Sequence, residues 1–310
     1  MSILVVGSVA FDNLETPHGK RERCLGGAAT HFSLAASYFT DVRVIGVVGE
    51  DFTAEDEAVF TRRGVDTRGL EHAPGKSFHW TGSYMNNLNE AQTLNTELNV
   101  FATFSPNVPD AYKDSDLLFL ANIDPVLQMR VRAQMPNVRM VGGDTMNYWI
   151  TGHRENLVKM LAGLDALLIN DGEAKLLAED SNLVVAARKI LTMGPKALIV
   201  KHGEYGATAF FSEKAFGGNK RLYLPFRAPA LPLAEVVDPT GAGDSFAGGF
   251  FGYLDSQKEI TLENFKRAMF YGGVMGSFAV QRFGTEQTQS LTREEIDQRF
   301  ALFRELSHLD

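Results

Sequence analysis

The feature that most limits how this chain can fold is a repeated exchange between short apolar runs and longer stretches with helical spacing. "ILVVGS" at 3–8 reads as a buried strand, "GGAATHFSLAASYF" at 26–39 as a helix opened by glycines, and "VRVIGVVG" at 42–49 as the next strand. The rhythm returns in "DLLFLANID", "VRMVGGDT", "RENLVKMLAGL", "DALLINDGEAKLLA", "NLVVAARKILTMG" and "KALIVKHGEYGATAFF". Parallel neighbours need crossover connections, so this order predicts an α/β fold: a mostly parallel central sheet with helices on both faces. With 310 residues, 45% of them hydrophobic, the chain can bury one large core, and a single domain over 1–310 is expected.

Charge and cysteine usage narrow the partners. A formal net charge of -8 argues against a nucleic-acid-binding face, so any bound phosphate must be met by local groups. The one cysteine, Cys24, excludes an intramolecular disulfide, and the seven histidines have no zinc-like pairing. The opening "MSILVVGSVAFDN" lacks the basic start of a signal peptide, and no apolar run approaches the ~20 residues that span a bilayer. A cytoplasmic protein without membrane contact is the expectation.

Residues 76–104, "KSFHWTGSYMNNLNEAQTLNTELNVFATF", break the rhythm. Phe78, Trp80 and Tyr84 fall on alternate positions, as do Leu94, Leu98 and Val100, with asparagines supplying turn chemistry between the two runs. This predicts an inserted antiparallel flap: an edge hairpin, a lid over a site, or a dimer surface. The nearby "APGKS" is no P-loop, because the glycine required five positions before Gly75 is Leu70.

"DPTGAGDSFAGGFF" at 238–251 carries the chemistry. The run Gly241, Ala242, Gly243 can turn three successive N–H groups toward one point, and a helix opening near Asp244 adds its positive end there. Asp244 is then either a helix-capping aspartate or a general base for a hydroxyl held against an anion hole.

This string resembles the C-terminal signature of the ribokinase-like (PfkB) family of carbohydrate kinases. "GSVAFD" at 7–12, "GGAATHFSLAA" at 26–36, "NDGEA" at 170–174 and "KHGEYG" at 201–206 are similar to further motifs of that family, in the same order. The resemblance implies a ribokinase-like fold with a small antiparallel β lid formed by 76–104. It also implies substrate contacts from Asp12, Gly26, Gly27, His31 and Asn122, with Asp12 at the end of a strand on the carboxyl edge of the sheet. His31 stands where the family commonly has asparagine. Asn170 and Glu173 would organise waters around a nucleotide-bound Mg2+, although an Asn-x-x-Glu also reads as a capping box. Lys201, Gly203, Gly206 and Gly243 would line the nucleotide. Asp238, Thr240, Ala279, Arg282 and Gly284 would hold a monovalent cation such as K+ through carboxylate and backbone oxygens. "DTMNYWI" at 144–150 adds Asp144 and Asn147 as secondary candidates.

The function so implied is an ATP- and Mg2+-dependent sugar kinase that transfers the γ-phosphoryl group to a primary hydroxyl, with Asp244 as base. Nucleoside kinase activity, and a non-catalytic sugar or nucleotide sensor, are the alternatives. The flap's apolar face predicts a homodimer with Phe78, Trp80 or Tyr84 at or near the interface.

Overall fold

The computed structural model describes residues 1–217 and 224–307. In chain order the strands are β1 Ser2–Val6, β2 Ala10–Thr16, β3 Gly19–Gly26, β4 Asp41–Val48, β5 Asp66–His72, β6 Phe78–Ser83, β7 Gln92–Glu97, β8 Leu117–Leu120, β9 Met140–Gly143, β10 Ala166–Asn170, β11 Ala197–Lys201, β12 Ala207–Phe211 and β13 Phe226–Ala228. The helices are α1 Ala28–Ala36, α2 Ala54–Thr61, α3 Pro125–Gln134, α4 Asn147–Gly152, α5 Arg154–Leu161, α6 Asp171–Ala178, α7 Leu183–Thr192, α8 Ala242–Asp255, α9 Leu262–Ala279 and α10 Arg293–Ser307.

Among the described residues, the larger sheet runs β13-β12-β11-β10-β9-β8-β1-β4-β5. It is parallel from β11 to β5, with β12 and β13 added antiparallel at one edge. Alternation along each strand sorts side chains between two cores. Ile3, Val5, Leu117, Phe119 and Leu168 face the core that includes α1, α8 and α9, whereas Leu4, Val6, Leu118, Leu120 and Leu167 face the core that includes α3, α5, α6 and α7. Both faces of a parallel sheet are thus covered, as crossover connections require. α8 approaches its neighbours closely: a Cβ at Gly248 would lie 2.4 Å from the Phe32 carbonyl, and one at Gly249 2.6 Å from the Tyr271 carbonyl. Two glycines of the "AGGFF" run therefore serve packing.

The smaller sheet runs β3-β2-β6-β7. Its halves, β2–β3 and β6–β7, are antiparallel hairpins, and they join through a parallel pairing of β2 with β6. Two sequence expectations change here. Asp12 does not end a strand of the central sheet; it lies within β2 of the smaller sheet, opposite Cys24. The region 76–104 supplies half of that sheet rather than all of it, and Leu98 and Val100 lie beyond β7, where Asn99–Thr103 form a 3-10 turn. No helix among the described residues is long and apolar enough to cross a membrane.

Because β1, β8, β9, β10 and β11 are parallel, their C-terminal ends emerge on one edge. There stand Asn122 and Asp144, in the loops after β8 and β9, and Asn170 and Lys201, the last residues of β10 and β11. The N-terminus of α8 opens toward the same edge, where ligands of open α/β sheets bind.

Candidate active site

The loop from Asp238 to Gly241 delivers the chain into α8. Gly241 is the N-cap at φ +70°, a left-handed backbone that favours glycine, and no side chain caps the helix. The Ala242 N–H bonds the Pro239 carbonyl at 3.2 Å, closing the turn. That corrects the expected row of three convergent donors, since Ala242 spends its N–H inside the loop. The N–H groups of Gly241, Gly243 and Asp244 have no partner among the described residues, and with the end of a 14-residue helix behind them they are available to an anion.

Asp238 holds this loop in place. Its carboxylate is fully buried and accepts N–H bonds from Thr240 at 2.9 Å and Gly284 at 2.8 Å. The Val237 and Asp238 N–H groups in turn bond the Val280 carbonyl just past α9. The segments 238–240 and 279–284 are therefore locked together. Arg282 is exposed at this join, whereas Ala279 and Gly284 are buried.

Two side chains press on the anion loop. A Cβ at Gly241 would lie 2.3 Å from the His31 ring, so the imidazole packs directly against this glycine. His31 is 1% exposed, both ring nitrogens lack a partner, and burial lowers its pKa below the ordinary range. It is a neutral ring with unused hydrogen-bonding capacity beneath the anion hole. On the other side, a Cβ at Gly243 would lie 2.7 Å from Lys201 Nζ.

Asp12 reaches the same place from β2. It is 4% exposed, and a Cβ at Gly26 would overlap its Oδ2, which is why the residue facing it has no side chain. Burial pushes its pKa up to about 8; the carboxylates of Asp238 and Asp244 add to the shift, and a hydrogen bond from the Gly27 N–H opposes it. Gly27, at φ +91°, lies against the Ser8 carbonyl, so the chain itself occupies one side of the glycine pair.

Asp144, Glu173 and Lys201 also stand near Asp244 and act on one another. Asp144 is buried, and its Oδ1 has no partner. Burial, then the nearby Asp244, raises its pKa well above the carboxylate range, while the Lys201 ammonium works against that. Glu173 is also raised, chiefly by burial, with Lys201 and the Asn170 N–H opposing. Asn170 and Glu173 form a reciprocal capping box, Asn170 Oδ1 accepting the Glu173 N–H and Glu173 Oε2 accepting the Asn170 N–H, each at 2.8 Å. One Glu173 oxygen remains unused among the described residues. Hard oxygen donors beside an anion hole suit Mg2+, which keeps most of its waters.

The remaining candidates are farther out. Asn122 Oδ1 accepts the Trp149 indole N–H at 3.0 Å, and Trp149 is itself held edge-on by Tyr148 and His153. Gly203 and Gly206 sit in the β11–β12 turn, at φ +55° and +92°. A Cβ at Gly206 would strike the Ala228 carbonyl at 2.2 Å, so β13 alone demands a glycine there. Sequence reasoning missed several partners: Gln128, whose amide donates to the carbonyls of Leu120, Ala121 and Asp144; Tyr84, whose hydroxyl accepts from Thr240 Oγ1 at 3.2 Å; and the Trp149 bond to Asn122. Tyr84, one of the three aromatic residues expected at or near a subunit interface, is buried against Thr240 of the loop that enters α8.

A helix-end anion hole with a carboxylate in its first turn, on the ligand edge of a doubly covered sheet, belongs to an ATP-dependent phosphotransferase acting on sugars or nucleosides. The model of the pfkB family of carbohydrate kinases matches residues 3–292, and the chain belongs to that family. It is 26% identical over 256 residues to a cytidine kinase of Thermococcus kodakarensis, covering 81% of this chain and 87% of that one. Among solved structures, it superposes on a nucleoside kinase of Burkholderia thailandensis in complex with inosine with a TM-score of 0.78 (22% identity, 97% of each chain). It also superposes on a putative ribokinase II from E. coli in complex with ATP and Mg2+ with a TM-score of 0.77 (20% identity, 97% of this chain and 99% of that one).

Proposed function

We propose that the protein transfers the γ-phosphoryl group of Mg·ATP to a primary hydroxyl of a ribose-like sugar, free or carried by a nucleoside base. The observation that carries this reading is the meeting at one helix end of the Asp244 carboxylate, three free N–H groups and the Lys201 ammonium, with Asp12 and His31 beside them. Asp244 takes the proton of the attacking hydroxyl. Gly241 and Gly243 donate to the oxygens of the transferring group, and Lys201 offsets their charge. Asp12, His31, Asn122 and the backbone at Gly26 and Gly27 contact the acceptor. Asn170 and Glu173 serve the magnesium-bound waters, and the turn at Gly203 and Gly206 lies along the nucleotide.

The smaller sheet acts as the lid. Tyr84 ties it to Thr240, so closing it brings Asp12 against the acceptor and excludes water. Trp80 and Phe78 do not wait for a base: Trp80 lies over Gly82 and donates to Thr93, and Phe78 stacks on Phe101 at 5.3 Å. The names of the relatives favour a nucleoside, whereas this engagement of the lid aromatics leaves base recognition to other groups. The outer strand β7 is exposed along its whole length, Leu94 within it and Leu98 just beyond it are about half exposed, and a homodimer covers this face. A monovalent cation binds at the 238–240 and 279–284 join, because fully buried Asp238 has no cationic partner among the described residues.

The test is a panel of ribose, fructose, cytidine, adenosine and inosine assayed for ADP release with Mg·ATP. Turnover of at least one, lost in Asp244→Asn, supports the reading. Turnover that survives in Asp244→Asn refutes the role of the base.

A further inference from the structure

The connection between β6 and β7, residues 84–91, reaches across the site to the opposite wall. Asn87 shapes it: its side chain accepts the Asn89 N–H at 2.9 Å, and its carbonyl accepts the Glu90 N–H at 3.3 Å. This local turn presents Asn89 to the β11–β12 turn. There the Asn89 amide fills the space over Gly203, where a Cβ would lie 2.2 Å from Asn89 Oδ1 and 3.0 Å from its Cγ. Gly203 begins a tight bend, with the His202 N–H on the Gly206 carbonyl at 2.8 Å and the Gly206 N–H on the Gly203 carbonyl at 3.1 Å. A side chain of the smaller sheet therefore rests on the backbone of the bend assigned to the nucleotide. At the other end of the same connection, Tyr84 bonds Thr240 of the anion loop.

We propose that Asn89 is a positioning residue for the nucleotide: the lid braces the Gly203 bend through this amide, so ordering of the lid and binding of the nucleotide reinforce each other. The inference rests on the reading of the 201–206 turn as the nucleotide wall. Physically, a φ +55° bend without a side chain has no packing of its own on this face, and the amide supplies it. A nucleotide that needs the bend in one shape then binds more tightly when Asn89 is in place, and by linkage it quiets the lid in return.

The experiment needs no acceptor. Mg·AMP-PNP is titrated calorimetrically into the wild-type protein, Asn89→Ala and the neighbouring control Glu90→Gln, and hydrogen exchange across 84–97 is followed in each with and without Mg·AMP-PNP. Loss of the brace should weaken binding about fivefold to tenfold in Asn89→Ala, the scale of the packing contacts the amide makes on the bend, and leave Glu90→Gln unchanged. Mg·AMP-PNP should slow exchange in 84–97 of the wild type and the control but not of Asn89→Ala. Equal affinity in all three proteins, or equal protection in Asn89→Ala, overturns the proposal while leaving the nucleotide site intact. Failure of the wild type to bind Mg·AMP-PNP overturns the nucleotide reading itself.

Discussion

Replacing Gly243 by alanine separates the chemistry of this site from its stability. Gly243 is the second residue of α8, where its backbone is helical, so alanine gains up to about 1 kcal/mol of helix propensity, less in a first turn. Its new Cβ would meet Lys201 Nζ at 2.7 Å, and the side-chain tip is what gives way. To restore ordinary contact the ammonium must retreat by about 1 Å. At an effective dielectric of about 20, a unit charge pair weakens from about 4 kcal/mol at 4 Å to about 3.3 kcal/mol at 5 Å. Two phosphoryl charges facing Lys201 then lose about 1.5 kcal/mol, or roughly tenfold in rate. The expected result is a Tm equal to or above that of the wild type, with kcat down about tenfold in an ADP-release assay, since Lys201 acts on charge that builds in the transition state. A wild-type kcat at unchanged Tm would refute the role given to Lys201. A fall in Tm of several degrees would mean that the backbone, not the lysine, yields.

Asp244→Asn should keep its fold and its Mg·AMP-PNP affinity while turnover falls by about 10²-fold to 10⁴-fold; a smaller loss removes it as base. With its pKa raised to about 8, Asp12 is mostly protonated at neutral pH, so if the carboxylate form receives the acceptor hydroxyls, acceptor KM falls as pH rises toward 8 and levels above it. Asp12→Asn should lose that dependence, and an unchanged KM–pH profile would show that Asp12 does not titrate against the acceptor. Folding stability follows the opposite course: the folded protein holds the Asp12 proton that the unfolded chain releases near 3.8, so this contribution declines between pH 4 and 8. Trp149→Phe removes the N–H that holds Asn122, and acceptor KM should rise roughly fivefold to tenfold with ATP KM constant, the cost of one hydrogen bond. If ATP KM moves instead, Asn122 does not face the acceptor. Sedimentation at micromolar concentration should give a dimer that Leu94→Glu dissociates; a monomer throughout would refute the lid-edge interface.

The inner strands of the central sheet are legible because they are buried on both faces and read as continuous apolar runs between helical patterns, whereas the edge strand β5, "DTRGLEH", is partly exposed and has no such run. The smaller sheet is legible only in half. β6 shows an alternating aromatic pattern, but β3 is "GKRERCLG", an exposed edge strand whose charges from Lys20 to Arg23 hide its period. Nothing local announces that β2 will pair with β6, a contact fixed by residues as distant as Asn13 and Thr81. Asp12 was therefore read as ending the first central strand, although the chain turns away after Val6 and carries it into the smaller sheet. The motif at 238–244 points to the start of α8, yet not to which N–H groups stay free, because the Ala242 bond to Pro239 depends on the turn the loop adopts.

The charge pattern of the site has a consequence for its cofactor. Asp12, Asp144, Glu173, Asp238 and Asp244 gather around one helix end, and Lys201 is the ammonium set against them. A polyanion such as ATP would be repelled by so acidic a setting in a chain of net charge -8, and three N–H groups with one lysine cannot offset four phosphate charges. Burial raises the pKa values of Asp12, Asp144 and Glu173, and Asp12, at about 8, keeps its proton at neutral pH and so adds no charge to the repulsion. The rest of the compensation must arrive with the ligand. A divalent ion brought in on the phosphates meets carboxylate oxygens that are otherwise costly to bury, so the acidity that would reject bare ATP favours the magnesium complex.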